Sequence, residues 1–312
     1  MADRSAIEWT DATWNPVTGC TEVSPGCDNC YARTFAERWR GTRGHHFEAG
    51  FDLTLRPERL PVPLRWRRPR RVFVNSMSDL FHTDVPDRFI ASVFAVMAMT
   101  PRHTYQVLTK RPGRMRSLLS RRMFAHWVCE AGRELAGCQQ DWMAAGAMFG
   151  NHPTPTPLPN VWLGTSVESQ RWAEIRVPLL LDTPAAVRWI SAEPLLGPVD
   201  LTRVQLVTPR ALYRPAVHLD VLQGLAVEPD ELLDSRIDWV VCGGESGHGA
   251  RPIDPDWARS LRDQCHQSGV PFLFKQWGGR TPKAGGRELD GRTWDEYPST
   301  GHAGAGPVGG AA

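Results

Sequence analysis

Lysine is scarce in this chain: of its 36 Lys and Arg residues only three are lysine, at positions 110, 275 and 283. Set against 34 acidic residues, the formal net charge is +2, so charge alone demands no polyanionic partner. No apolar run approaches the ~18 residues of a membrane-spanning helix. The start, from Met1 to Trp9, offers no apolar leader segment. A cytoplasmic setting without membrane contact is therefore expected. P-loop, HExxH and G-x-S-x-G patterns are missing, which argues against a P-loop NTPase, a zincin and an α/β-hydrolase. The cysteine count, seven, is odd, and a chain of 312 residues needs no disulfide framework to fold.

What is present is a strand–helix alternation. Short apolar, β-prone runs stand at 72–74, 105–108, 161–163, 187–190, 239–242 and 272–274. They are near-continuous rather than alternating, the pattern of parallel strands covered on both faces. Apolar stripes at helical spacing occupy 87–99, 170–181 and 256–267, and Pro86 and Pro255 are placed like prolines of a first helical turn. Right-handed βαβ units follow, and with them an α/β fold, a TIM-type (β/α) barrel. Two weaker strands at 12–17 and 51–55 bring the count to the eight of a complete barrel; without them six strands form a partial one. One barrel domain is expected over 1–298. Excursions at 120–160 and 201–236 are expected to lie over the active-site face as lids or substrate-binding elaborations, and 299–312 forms a disordered Gly/Ala-rich tail.

Chemistry in such barrels sits just past the C-terminal strand ends. There the chain places Asn75, Ser76 and Asp79; Lys110; Thr165, Ser166 and Glu168; Glu193; Gly243, Gly244 and Glu245; and Lys275 with Gln276. Lys110 and Lys275 persist against a strong arginine bias, at positions where a compact, titratable ammonium differs from a rigid guanidinium fork. With Glu193 they are the candidate catalytic groups. The structural alternative is an ion pair with Glu168, Glu193 or Glu245 that closes the barrel end. Asn75, Ser76, Asp79, Thr165, Ser166, Glu168, Gly243, Gly244, Glu245 and Gln276 are candidate cofactor contacts. Gly243 and Gly244 would admit a ligand to the backbone, and Glu245 would accept from an ammonium or ribose.

The strongest local signal is Cys20-x6-Cys27-x2-Cys30, with Ser24-Pro25-Gly26 as turn chemistry inside the spacer and a helix expected over 31–40. Three thiolates without an obvious fourth partner fit two metal chemistries. One is a [4Fe-4S] cluster with an open iron. The other is zinc, completed by water or by His45 or His46. Cys129, Cys138, Cys242 and Cys265 read as small apolar residues of helices and a strand.

A cysteine loop after the first strand of a barrel resembles the radical S-adenosylmethionine superfamily. That resemblance implies a cluster on Cys20, Cys27 and Cys30, S-adenosylmethionine on the open iron, a reductant protein, and cleavage to a 5′-deoxyadenosyl radical. A closer resemblance is to a phage-borne three-cysteine-motif family of unknown function. It is carried by Trp14 to Cys20, Cys27 to Tyr31, Asn75 to Phe81, Leu108 to Pro112, Gly164 to Glu168, Ser191 to Pro194, Gly243 to Gly247 and Phe274 to Gly278. The phage resemblance, together with the abundance of arginine, suggests nucleic acid or a nucleotide as substrate. The alternative is a zinc-stabilised phage binding protein that uses the barrel as a scaffold, without redox chemistry.

Trp277 at a strand end is a candidate stacking surface for an adenine or a base, His82 an acid/base group or a surface histidine, and the basic run 65–71 a phosphate contact or, in preference, a solvated connection before a strand.

Overall fold

A computed structural model describes residues 5–136, 156–206, 217–227, 231–233 and 235–299. Its strands in chain order are β1 (Ala12–Trp14), β2 (Val17–Thr18), β3 (Thr54–Leu55), β4 (Arg71–Val74), β5 (Thr104–Thr109), β6 (Val161–Ser166), β7 (Val187–Ala192), β8 (Val204–Leu206), β9 (Val217–Asp220), β10 (Leu225–Val227), β11 (Glu231–Leu232), β12 (Trp239–Gly243) and β13 (Phe272–Gln276). The helices are α1 (Tyr31–Glu37), α2 (Asp87–Met99), α3 (Pro112–Leu119), α4 (Arg122–Ala136), α5 (Gln170–Leu181) and α6 (Pro255–Gln267).

Seven strands form one all-parallel sheet in the order β1-β4-β5-β6-β7-β12-β13, curled into a half-barrel. The expected counts of six and eight are both corrected. The stretch 12–17 contributes a single strand to the sheet because Pro16, which has no N–H to donate, breaks it after Trp14. The expected strand at 51–55 is β3, which pairs antiparallel with β2 in a separate ribbon. The main sheet therefore ends at β1 and β13, two edges that do not pair with each other. Several strands run beyond the apolar runs read in the sequence, so Thr109, Ser166, Ser191 and Gln276 belong to the ladder itself.

Alternate residues of each strand fall into two separate apolar clusters, as a side-chain period of two requires. Val72, Val74, Tyr105, Val107, Leu163, Ile190, Val240, Cys242, Phe272 and Phe274 face the helices. Phe73, Trp162, Trp189, Trp239, Val241 and Leu273 face inward around Trp9. The curl is visible in the aromatic contacts. Trp162 and Trp239 stand on strands separated by β7, yet their ring centroids lie 5.7 Å apart. Gly164 makes room for this layer, since a Cβ there would stand 2.4 Å from the Trp189 ring.

Both excursions pack, as far as they are described, on the outer, helical side rather than as lids. In the first, α4 lies on α2 through Phe94 and Phe124, ring centroids 5.3 Å apart. The second is a small antiparallel sheet, order β11-β10-β9-β8, whose Val204, Leu219, Val221 and Ala226 join the helix-side core. Residues 137–155, with Cys138, and 300–312 of the expected tail lie outside the described residues. Pro86 is the capping residue before α2, with an extended ψ of 138°, while Pro255 does open α6, beside a cap in which Asp254 accepts from the Asp256 N–H. The helix expected over 31–40 ends at Glu37.

Candidate active site beneath the cysteine loop

Above the tryptophan layer the inward alternation continues with polar residues. Phe73 is followed by Asn75, Trp162 and Gly164 by Ser166, Trp189 by Ser191 and Glu193, and Leu273 by Lys275. These residues meet as pairs. Lys275 Nζ stands 2.9 Å from Glu193 Oε1, and Ser191 Oγ donates to Glu193 Oε2 at 3.1 Å. Lys110 Nζ donates to Ser166 Oγ at 3.2 Å and lies 3.8 Å from Glu168. Asn75 is buried, with φ of 61°, and neither its side-chain nitrogen nor its oxygen has a partner. Gln276 donates to Ser246 Oγ at 2.6 Å and leaves its own Oε1 unpartnered.

The cysteine loop is strapped to this mouth at four places. At its start, Arg111 reaches Cys20 Sγ (3.4 Å), Thr21 O (3.0 Å) and Asp79 Oδ2 (3.1 Å). Asp79 is buried and also accepts from the Thr109 hydroxyl and from the N–H groups of Phe81 and Lys110. In the middle, Ser24 Oγ donates to Glu168 Oε1 at 2.7 Å, and a Cβ on Gly26 would stand 2.5 Å from that same oxygen. Only glycine lets the turn sit this low. At the far end, Arg251 bridges Glu245 (2.6 Å), Asp28 (3.1 Å) and Pro25 O (2.7 Å), while Asn29 donates to Glu245 at 2.9 Å. Tyr31 donates to Ser76 O at 2.6 Å, and Ser76 Oγ pairs with Asn15.

Electrostatics follow from these contacts. Burial and the Asp79 carboxylate push the Cys20 thiol up, against the pull of Arg111. Burial raises the Glu245 carboxyl, but the hydrogen bonds from Arg251 and Asn29 outweigh it and hold the group below its ordinary value. Glu168 and Arg176 form a fully buried pair at 2.7 Å, each 1% exposed, with Trp172 over the guanidinium at 4.2 Å. Burial lowers Arg176 more than Glu168 restores it.

Most of the expected site residues thus converge on one mouth, but in different capacities. Asp79, Glu168 and Glu245 are spent on holding the loop. Thr165 is apart from them: its hydroxyl donates to Thr109 O on the neighbouring strand. Gly243 and Gly244 admit protein rather than open space, since Cβ atoms there would meet Glu193 Oε1 at 3.0 Å and Trp277 O at 2.0 Å. Trp277 donates to Glu288 O and packs on Phe274, which takes its indole N–H and one ring contact away from any base. His82 is a buried residue, 2.8 Å from Thr21 Oγ1, and burial lowers its pKa. Arg176, Arg251, Ser24 and Tyr31 were not among the expected site residues. A usable signal existed for Arg176, an arginine in the apolar stripe of α5 formed by Ala173, Val177 and Leu180.

The three loop cysteines are free and half-buried. Cys20 and Cys30 pack on one small cluster with Met77, Phe47 and Phe51, and Cys27 is near enough to Cys20 to raise its pKa. Soft thiol donors on a turn-rich loop suit a thiolate-bound metal group. Among the described residues, no three His, Cys, Asp or Glu side chains already converge as a metal site. The histidines considered for zinc have other partners. His45 stacks on Trp39 at 4.1 Å and accepts the Phe47 N–H, and His46 Nδ1 meets Arg59 at 2.9 Å.

A family match over residues 4–298 settles the kinship. The chain belongs to the protein family of unknown function DUF5131. The matched span contains the cysteine loop, all seven strands of the half-barrel and every strap described above, so within DUF5131 this mouth is part of the family region and not an appendage. No curated protein and no solved structure matches the chain. No described helix is long and apolar enough to cross a membrane.

Proposed function

We propose that the protein is an iron–sulfur enzyme of the radical S-adenosylmethionine type, acting on nucleic acid or a nucleotide at the mouth beneath the cysteine loop. The observation that carries this reading is three free, half-buried thiols on a loop fastened over the C-terminal end of a parallel half-barrel. Cys20, Cys27 and Cys30 would hold a [4Fe-4S] cluster, which supplies one electron to cleave S-adenosylmethionine. The remaining work belongs to the chain. Arg111 offsets negative charge at Cys20. The Lys275–Glu193 pair, with Ser191 on the carboxylate, can bind a polar group or hold a proton at Lys275 Nζ or Glu193 Oε2. Lys110 adds a second ammonium at Ser166. Asn75 and Gln276 keep buried polar atoms unpartnered, a cost that a bound ligand or water would offset.

Anaerobic purification tests the reading. The expected result is brown protein with ~4 iron and ~4 acid-labile sulfide per chain. Colour and iron should be lost on Cys20→Ala, Cys27→Ala or Cys30→Ala and kept on Cys265→Ala. Colourless protein with one firmly held zinc would overturn it and leave a metal-stabilised binding protein on a half-barrel scaffold.

A further inference from the structure

Just past the third cysteine the chain turns an aromatic edge outward. Tyr31, Phe35 and Trp39 recur every four residues along α1 and the turn after it, and they are 55%, 47% and 39% exposed. Every exposed Tyr, Phe or Trp among the described residues lies on this stripe. The rings are propped rather than loose. Phe35 meets Phe47 edge-on at 5.7 Å, Trp39 stacks on His45, and Tyr31 is tied through its hydroxyl to Ser76 O.

The same stretch is basic. Between Tyr31 and His46 stand Arg33, Arg38, Arg40 and Arg43 against the single acid Glu37, an excess larger than the +2 of the entire chain. Arg33 is paired with Glu22, and Arg40 with Glu37 and Asp52. Arg38 and Arg43 are exposed and have no carboxylate partner among the described residues.

We infer that this stripe is a track for single-stranded nucleic acid, which stacks its bases on the three rings and its phosphates against Arg38 and Arg43. Rings four residues apart rise about 6 Å along a helix, room for one base each. Solvent-facing rings flanked by unpaired guanidiniums offer π-faces and positive charge together, which is what a strand with splayed bases requires. A duplex keeps its base faces hidden and gains only the charge. The track ends at Tyr31, beside Cys30 and the mouth, so a strand lying on it is delivered to the proposed site. That delivery rests on the enzymatic reading above; the binding does not.

Fluorescence anisotropy with labelled DNA of about 20 nucleotides, RNA of the same sequence and the blunt duplex tests it. The expected order is single strand well above duplex, with the two single-strand arms showing which sugar is preferred. Trp39→Ala and Phe35→Ala should each weaken binding about tenfold, and Trp39→Tyr should restore most of the loss. Arg38→Ala and Arg43→Ala should each lower the slope of log affinity against log salt by about 0.7. Metal content and sedimentation are measured on the same samples. Metal-free protein that still binds through the stripe overturns the enzyme and keeps the track. Iron-loaded protein overturns the track if Trp39→Ala and Phe35→Ala bind unchanged, or if duplex binds equally. A Trp39→Ala change that splits a dimer without touching affinity also overturns it, because the stripe would then be a contact between copies.

Discussion

The inner surface of the half-barrel is two surfaces built on the same strands. Its lower part is aromatic: Trp9, Trp162, Trp189 and Trp239 pack ring to ring, held by shape. Its upper part, two to six residues further along the chain from each strand's inward apolar side chains, is polar and held by pairing: Lys275 with Glu193, Lys110 with Ser166, and Glu168 with Arg176 of α5. Parity is the same in both parts, so the sheet geometry treats them alike, and only the side chains separate a packed floor from a polar mouth. Stability and site chemistry should therefore respond to different perturbations.

The largest effect is expected on the floor. Trp189→Ala removes a fully buried ring that Gly164 was cut to fit, and should cost about 4 kcal/mol in denaturant unfolding. Alkylation rates of the loop cysteines in the folded protein should stay near wild type. Equal loosening of the loop would mean that floor and mouth are one unit. Next comes Glu168→Gln, which leaves Arg176 buried without its carboxylate and should cost about 3 kcal/mol. Here alkylation of Cys27 should rise as well, because Ser24 loses a charged acceptor. Stability loss without faster alkylation would break the assignment of Glu168 as a loop strap.

The smallest effect is pH-dependent and lies on the loop side. Burial, then Arg59 and Arg56, lower His46 from 6.5 to about 4. A base whose folded pKa is depressed is held neutral by the fold while the unfolded chain protonates. Its contribution is therefore complete above pH 6.5 and is lost as pH falls towards about 4. His46→Gln should flatten the unfolding free energy over that window, and an unchanged slope would place the acid sensitivity elsewhere.

Much of this was legible in residue order. The apolar runs marked six of the seven sheet strands, and the residues past them marked the mouth. The strand count was misjudged where one proline redirects the chain after Trp14 and where a two-residue ribbon mimics a sheet strand. The side on which an insertion packs was not legible, because length and composition do not say it; among the described residues, Val204, Leu219 and Ala226 of β8 to β10 join the helix-side core. Glu168 and Glu245 were legible as strand-end carboxylates. Their arginines were not, since Arg176 lies a helix turn or two away and Arg251 lies across a loop, and in a chain with 33 arginines neither stands out by type.

Glu168 is also a joint between distant parts of the chain. One oxygen takes Ser24 and faces Gly26; the other takes Arg176 on α5, and α5 in turn carries β8 of the outer sheet on its flank. A continuous run of contacts therefore joins that outer sheet, through a helix, a guanidinium and one carboxylate, to the turn between Cys20 and Cys27. The loop that carries the thiols and the helix that carries the outer sheet thus share a single carboxylate as their common support.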